Sequence, residues 1–336
     1  MAALLWIAAS LAVLLLAGVL YQVYGSHRDR TLHTGEGRTI SIANGSQLYL
    51  YEQGHGQPTV IFEAGIGATH LNWRAIQQAI AADTRTVSYD RCGLGWSSCC
   101  RTPRTPANIA AELHETLARG GFKPPFILVG HSFGGLVMRR FALLYPQDVT
   151  GLVLVDPMRC KEWPPYAPQK QSQIELGCRL IRYAMPAAYC GLTRLLIALL
   201  MRRASRLSDH VVGAAGVNSR HVMNRVRAEV RKMPRAVWPA VAAHWARPDY
   251  YKGIRRHIVD IPAAAAEMHS AEPIPSLPIT VLTPGRSEPL SQQELKQIGD
   301  CAQQQIASKS AHWIHLDEPE LTIGAIRGIL AAAALH

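Results

Sequence analysis

The chain reads as an α/β protein with a mostly parallel sheet flanked by helices, an inserted helical cap and an N-terminal transmembrane helix. Three observations lead there. Short β-branched or aliphatic runs alternate with helical stretches from Thr59 to Val155. That alternation breaks off after Asp156 and resumes at Ile279. No side chain from Ala2 to Gly25 is charged. With 336 residues the chain can hold an α/β core and an insertion, and 48% hydrophobic against 18% charged residues marks a globular body rather than a disordered one.

The first element is the apolar run LLWIAASLAVLLLAGVL. At 1.5 Å rise per residue, about 20 such residues cross a hydrocarbon core. Trp6 lies at one end and Tyr21 and Tyr24 at the other, where interfacial aromatics sit. The expectation is an anchor over 2–24. A cleaved signal peptide is the alternative, but no Lys or Arg precedes the run, the run is long, and no clear Ala-x-Ala site follows it. Arg28 and Arg30 are too few to fix which side of the membrane the body occupies.

After a polar linker, Thr39–Ala43 and Gln47–Glu52 predict a hairpin turned by Asn44-Gly45. Thr59–Phe62, Thr86–Tyr89, Phe126–Val129 and Leu152–Val155 have the composition of buried parallel strands. Asn72–Ala82, Pro106–Arg119 and Gly134–Leu144 are the helices between and after them, giving a sheet covered on both faces. Residues 158–272 carry helical patches without strand runs and form the expected cap. Ile279–Leu282 resumes the strand pattern and Leu321–Ala333 reads as a closing helix, so the core occupies 37–157 and 273–336.

Gly130-His131-Ser132-Phe133-Gly134 fits Gly-x-Ser-x-Gly. A strand (Phe126–Val129) runs straight into it and helical residues (Gly135-Leu136-Val137-Met138) follow, the strand–turn–helix context that exposes a nucleophilic serine. On this motif the chain resembles the α/β-hydrolase superfamily of esterases, lipases and peptidases, from about Thr39 to the C-terminus, the cap matching least. Three further segments are similar: Glu63-Ala64-Gly65-Ile66-Gly67 after the third strand, Tyr89-Asp90-Arg91-Cys92-Gly93-Leu94-Gly95-Trp96-Ser97 after the fourth, and Ser310-Ala311-His312-Trp313-Ile314-His315-Leu316-Asp317-Glu318-Pro319 near the end.

The resemblance implies acyl transfer. Ser132 would be the nucleophile and His312 its general base, ahead of His315, with His131 an elbow residue. Glu288, in the loop after the strand Ile279–Leu282, is the first choice for the acid and Asp156 the alternative. The backbone N–H groups of Phe133 and Ile66 would form the oxyanion hole. No metal or organic cofactor is implied. The expected substrate is a small or lipid-derived carboxylic ester. An aminopeptidase-like amide hydrolase is a rival, though the cap is poor in the carboxylates that would capture an amine. Epoxide hydrolases and dehalogenases are disfavoured because they place Asp where Ser132 stands. A catalytically dead, membrane-bound binding module is disfavoured by the intact Ser132, His312 and Glu288.

The formal charge is +11, yet no helix-turn-helix, zinc-finger or RNA-reading signature accompanies it, and no nucleic-acid partner is expected. Between Arg159 and Arg256 there are 19 Lys or Arg against five acids, so the cap holds the excess. Leu192–Arg206 sets Leu195, Leu196, Leu199 and Leu200 beside Arg202, Arg203 and Arg206, a pattern suited to an anionic membrane surface or to roofing a pocket. Seven cysteines include no Cys-x-x-Cys pair; a bridge among Cys160, Cys178 and Cys190 stays open.

Overall fold

The computed structural model describes residues 1–99, 101–201, 228 and 230–334. Eight strands form one sheet: β1 (Arg38–Ser41), β2 (Gln47–Gln53), β3 (Thr59–Glu63), β4 (Thr86–Tyr89), β5 (Phe126–His131), β6 (Val149–Val155), β7 (Ile279–Pro284) and β8 (Ala302–Ala307). Their order is β1-β2-β4-β3-β5-β6-β7-β8. β2 is antiparallel to β1 and β4, and every other pair is parallel.

The hairpin turns at Asn44-Gly45: Gly45 takes φ 79°, and the Asn44 side chain accepts from the Ser46 N–H at 2.8 Å. In β3 and β5 every residue is buried, because helices cover both faces. Val60, Phe62 and Val129 point to one face, against Trp73, Ile76, Ile323 and Ile326. Ile61 and Leu128 point to the other, against Leu113, Met138 and Phe141. Each such side chain contributes about 1.5–3 kcal/mol of burial.

The covering helices are α2 (Arg74–Ile80), α3 (Pro106–Arg119), α4 (Phe133–Leu144) and, last in the chain, α12 (Pro319–Ala333). α1 (Ala2–His33) precedes the sheet and is long and apolar enough to cross a membrane. Between β6 and β7 the described regular elements are all helical: α5 (Gln171–Tyr189), α6 (Leu192–Met201), α7 (Trp238–Ala246), α8 (Pro248–Val259) and α9 (Ile261–His269). α10 (Gln292–Ile298) and the short α11 (Ile314–Asp317) complete the α-helices among the described residues.

The structure departs from the sequence expectations in a few places. The helix expected from Asn72 is preceded by a 3₁₀ turn over His70–Trp73. β8 and α10 were not expected, and β8, of sequence AQQQIA, explains why: it is an edge strand whose exposed positions carry Gln in place of an aliphatic run. The apolar helix begins at Leu192 as expected, but residues 202–206 lie outside the described residues. Cys160, Cys178 and Cys190 carry free thiols.

Backbone packs closely where β5 meets α4. A Cβ on Gly130 would stand 2.5 Å from the Gly134 carbonyl oxygen, and one on Gly134 would stand 2.6 Å from the backbone oxygens of Glu63 and Ala64. Backbone cannot give way as a flexible side chain can, so Gly134→Ala should cost about 1–3 kcal/mol. Gly324, in α12 with nothing near its Cβ position, is the contrasting case. Gly324→Ala should gain about 0.5–1 kcal/mol. Thermal unfolding of the two variants should move in opposite directions.

Candidate active site

Ser132 occupies the turn between β5 and α4 with φ 54° and ψ −120°. Three backbone bonds hold it there: its N–H donates to Val155 O (3.0 Å), and its carbonyl accepts from Gly135 N (3.0 Å) and Met158 N (3.1 Å). The side chain is half-buried.

Asp156 follows β6, the strand beside β5, and also has positive φ, 42°. Its N–H donates to Leu282 O at 2.8 Å. Its Oδ2 lies 2.6 Å from His312 Nδ1. Glu288, the acid the sequence put first, does not approach the imidazole in this way: it is exposed on the loop after β7, and its carbonyl oxygen accepts from Arg159. The reason is geometric. Asp156 comes directly after β6, where its short side chain meets His312, whereas Glu288 lies several residues beyond the end of β7 on an exposed loop.

His312 sits on the loop between β8 and α11. Glu318 ties that loop down by accepting from Lys309 N (2.9 Å) and Ser310 Oγ (2.6 Å). The His312 carbonyl is 2.8 Å from His131 Nε2. A carbonyl can only accept, so His131 carries its proton on Nε2. Its bare Nδ1 faces Gly65, whose Cβ position would be 2.9 Å away. Burial, with His315 and His312 nearby, holds the His131 pKa well below the usual histidine range. His131 is thus a neutral strut under the loop. His315 is buried with its ring 4.5 Å from those of His131 and Trp73, and burial pulls its pKa down to about 3.

The loop after β3 approaches Ser132 from the other side, with the Gly65 Cβ position 3.4 Å from Ser132 Cβ. Arg91 fixes this loop. Its guanidinium, 2% exposed, pairs with Glu63 at 2.8 Å and donates to Ala64 O (2.6 Å) and Gly65 O (2.5 Å). Tyr89 also bonds the Glu63 carboxylate. With two carbonyls of the loop held toward Arg91, the next residue is Ile66. Phe133 is the first residue of α4, where no intrahelical carbonyl reaches its N–H. Arg91 was visible in sequence only as part of a resembling segment; a charged pair, Asp90-Arg91, directly after a strand was the signal that it has an internal partner.

Two depressions flank His312. One of about 420 Å³ is mostly apolar, lined by Ile66, Val230, Met233, Val241, Trp245 and Leu316 among others. The second, about 350 Å³, is lined by Lys232, Arg286, Lys309 and Asp317. The cap residues of the first were not singled out in sequence, since their placement depends on how α7 and α8 pack. Among the described residues no three His, Cys, Asp or Glu side chains gather to hold a metal.

A family model described as alpha/beta hydrolase fold matches residues 58–174. Cfl2 from Burkholderia cenocepacia superposes with a TM-score of 0.64 at 18% identity, covering 87% of this chain and 94% of that one. The epoxide hydrolase CorEH gives 0.64 at 14% identity, covering 88% of this chain and 98% of that one. An AB hydrolase superfamily protein of Gibberella zeae is 35% identical over 126 residues, 35% of this chain and 39% of that protein. Residues 58–174 thus match the α/β-hydrolase family, and the chain around them has its fold. The chain spans less than half the length of such curated relatives, and the match to the family model ends inside α5, before most of the cap.

Four histidines of the chain are buried with depressed pKa values. Burial lowers His131 and His257 well below the usual range and takes His244 and His315 to about 3. The unfolded chain protonates them near 6.5 while the fold keeps them neutral, so stability is lost as pH falls below about 6.5. Each contributes a slope of up to about 1.4 kcal/mol per pH unit. Thermal unfolding between pH 7.5 and 5 should show a falling midpoint, with a shallower fall in His315→Leu.

Proposed function

We propose that this chain is a serine hydrolase that cleaves carboxylic esters through an acyl-enzyme, with Ser132 as nucleophile, His312 as general base and Asp156 as the supporting acid. The observation that carries the reading is the 2.6 Å contact between Asp156 Oδ2 and His312 Nδ1, made beside the Ser132 turn. Asp156 replaces Glu288 in the role that the sequence gave to the latter.

Asp156 keeps the His312 proton on Nδ1, which leaves Nε2 bare as the base. His312 takes the Ser132 hydroxyl proton as Oγ attacks the ester carbonyl carbon. The oxygen that gains charge accepts from the N–H groups of Ile66 and Phe133, worth about 3 kcal/mol each in the transition state. The tetrahedral adduct collapses, the C–O bond to the alcohol breaks, and His312 returns the proton to the departing alkoxide. Water then enters, gives a proton to His312, and attacks the acyl-Ser132 carbonyl. The acid leaves as Ser132 recovers its proton.

The apolar depression beside Ile66 suits an acyl chain, and the basic one suits a polar or anionic alcohol portion, which favours a lipid-derived ester. No carboxylate is among the described residues of the apolar wall, so nothing there would capture a peptide amine. CorEH is named an epoxide hydrolase, but Ser132 stands here where enzymes of that class carry Asp. We read 2–24 as a retained anchor, 158–272 as the cap, and 37–157 with 273–336 as the catalytic core.

A serine-directed phosphonate should label Ser132 and lose that label in Ser132→Ala, as mapped by mass spectrometry. On an ester cleaved by the wild type, Asp156→Asn should lower kcat by about 10³–10⁴. Glu288→Gln should leave it nearly unchanged. Absence of labelling on folded protein would sink the mechanism, and the reverse pattern of the two acid variants would return the role to Glu288.

A further inference from the structure

α1 does not simply trail from the body. Residues 2–17 are exposed throughout, and contact begins at Gly18, whose Cβ position would be 2.2 Å from the Cys190 carbonyl oxygen. Cys190 and Gly191 form the turn between α5 and α6, and the Gly191 Cβ position lies 3.2 Å from Tyr21 Cδ1. Four residues on, Gly25 packs against Arg194 of α6. Arg194 is 9% exposed; it pairs with Asp29 at 2.7 Å and donates to Gln22 at 3.1 Å and Ser26 at 3.4 Å.

At 1.5 Å per residue, the apolar run of residues 4–20 measures about 26 Å, short of the roughly 30 Å of a hydrocarbon core. The missing 4 Å or so is about three residues of helix. It carries the boundary just past Tyr21, beside the α5–α6 turn, and any tilt of α1 carries it further.

The cap surface at that level has the composition this depth requires. α5 buries Ile174, Ile181 and Ala188 on one stripe, yet its other faces carry Leu176, Leu180 and Tyr183, exposed by 50%, 54% and 69%. A helix beside water would be polar there. In α6 Thr193 and Arg194 are the only polar residues, and Arg194 is turned into α1; Leu192 and Leu195 remain 57% and 48% exposed. A cation at this depth is expensive unless neutralised, and Arg194 has its counter-charge and two further acceptors rather than a route to water. The exposed Arg179 and Arg182 beside the apolar face can reach phosphates of the headgroup layer.

We propose that the outer face of α5 and α6 is sunk into the membrane interface alongside α1, so that the cap is a second, monotopic lipid contact. This rests on reading α1 as a retained membrane helix.

The test uses the full chain in phosphatidylcholine–phosphatidylglycerol nanodiscs doped with a phospholipid carrying a diazirine in its acyl chain. After photolysis, peptides are searched for lipid adducts. Adducts are expected on residues 2–25 and also on 176–195, and not on the exposed apolar residues Leu144 and Ile306 of the catalytic core. Labelling of 2–25 with none on 176–195 would overturn the cap contact while leaving the anchor. Equal labelling of Leu144 and Ile306 would also overturn it, by exposing the adducts as unselective. No adducts on 2–25 would remove the anchor and the cap contact together.

Discussion

Ser132 is held at φ 54° and ψ −120°, and the chain on every side is shaped to make room for that turn. A side-chain-bearing residue in such a conformation costs about 1–3 kcal/mol and persists only where its surroundings over-determine it. Here they do. Val155 of the neighbouring strand accepts its N–H, while Gly135 and Met158 both donate to its carbonyl. Gly130 and Gly134 let the strand and helix close on each other where any Cβ would strike backbone. Met158 lies two residues after Asp156, so the contacts that hold the serine turn also fix the segment bearing Asp156.

The second constraint is a charge pair in the interior. Glu63 and Arg91 are each almost fully buried, and such a pair stabilises little by itself because desolvation offsets the attraction. Its value lies in direction. The guanidinium uses donors not taken by Glu63 to grip the carbonyls of Ala64 and Gly65, turning a glycine-rich loop into a fixed wall beside Ser132. Burial raises the Glu63 pKa, with Arg91 and the Tyr89 hydroxyl opposing that rise. Loss of Arg91 would therefore release the loop and leave a buried carboxyl to protonate.

Much of this was legible in the residues. The parallel strands announced themselves as aliphatic runs, and the serine turn as glycines between a strand and a helix. His312 was singled out because its segment resembles a known pattern, and its carbonyl meets His131, the residue before Ser132. The carboxylate that meets His312 was not legible: Asp156 and Glu288 each follow a strand, and what separates them is the positive φ at Asp156, which a sequence does not display. β8 was missed because an edge strand tolerates Gln, and Arg91 because its partners lie 26 to 28 residues away in the chain. The pocket wall was missed for a related reason. Residues such as Val241 and Trp245 acquire meaning only when α7 is laid over the loops of Ile66 and His312.

The bond between Arg194 and Asp29 joins two parts of the molecule that could have been independent. α7, which helps wall the apolar depression, also packs on α1. The pair is partly buried, and removing either partner leaves the other charge without its counter-charge. Order in the cap and docking of α1 thus belong to one cooperative unit. The first helix is not a leash from which a finished enzyme hangs; it is a structural member of the roof over the pocket, and a chain deprived of it would be a different protein above His312.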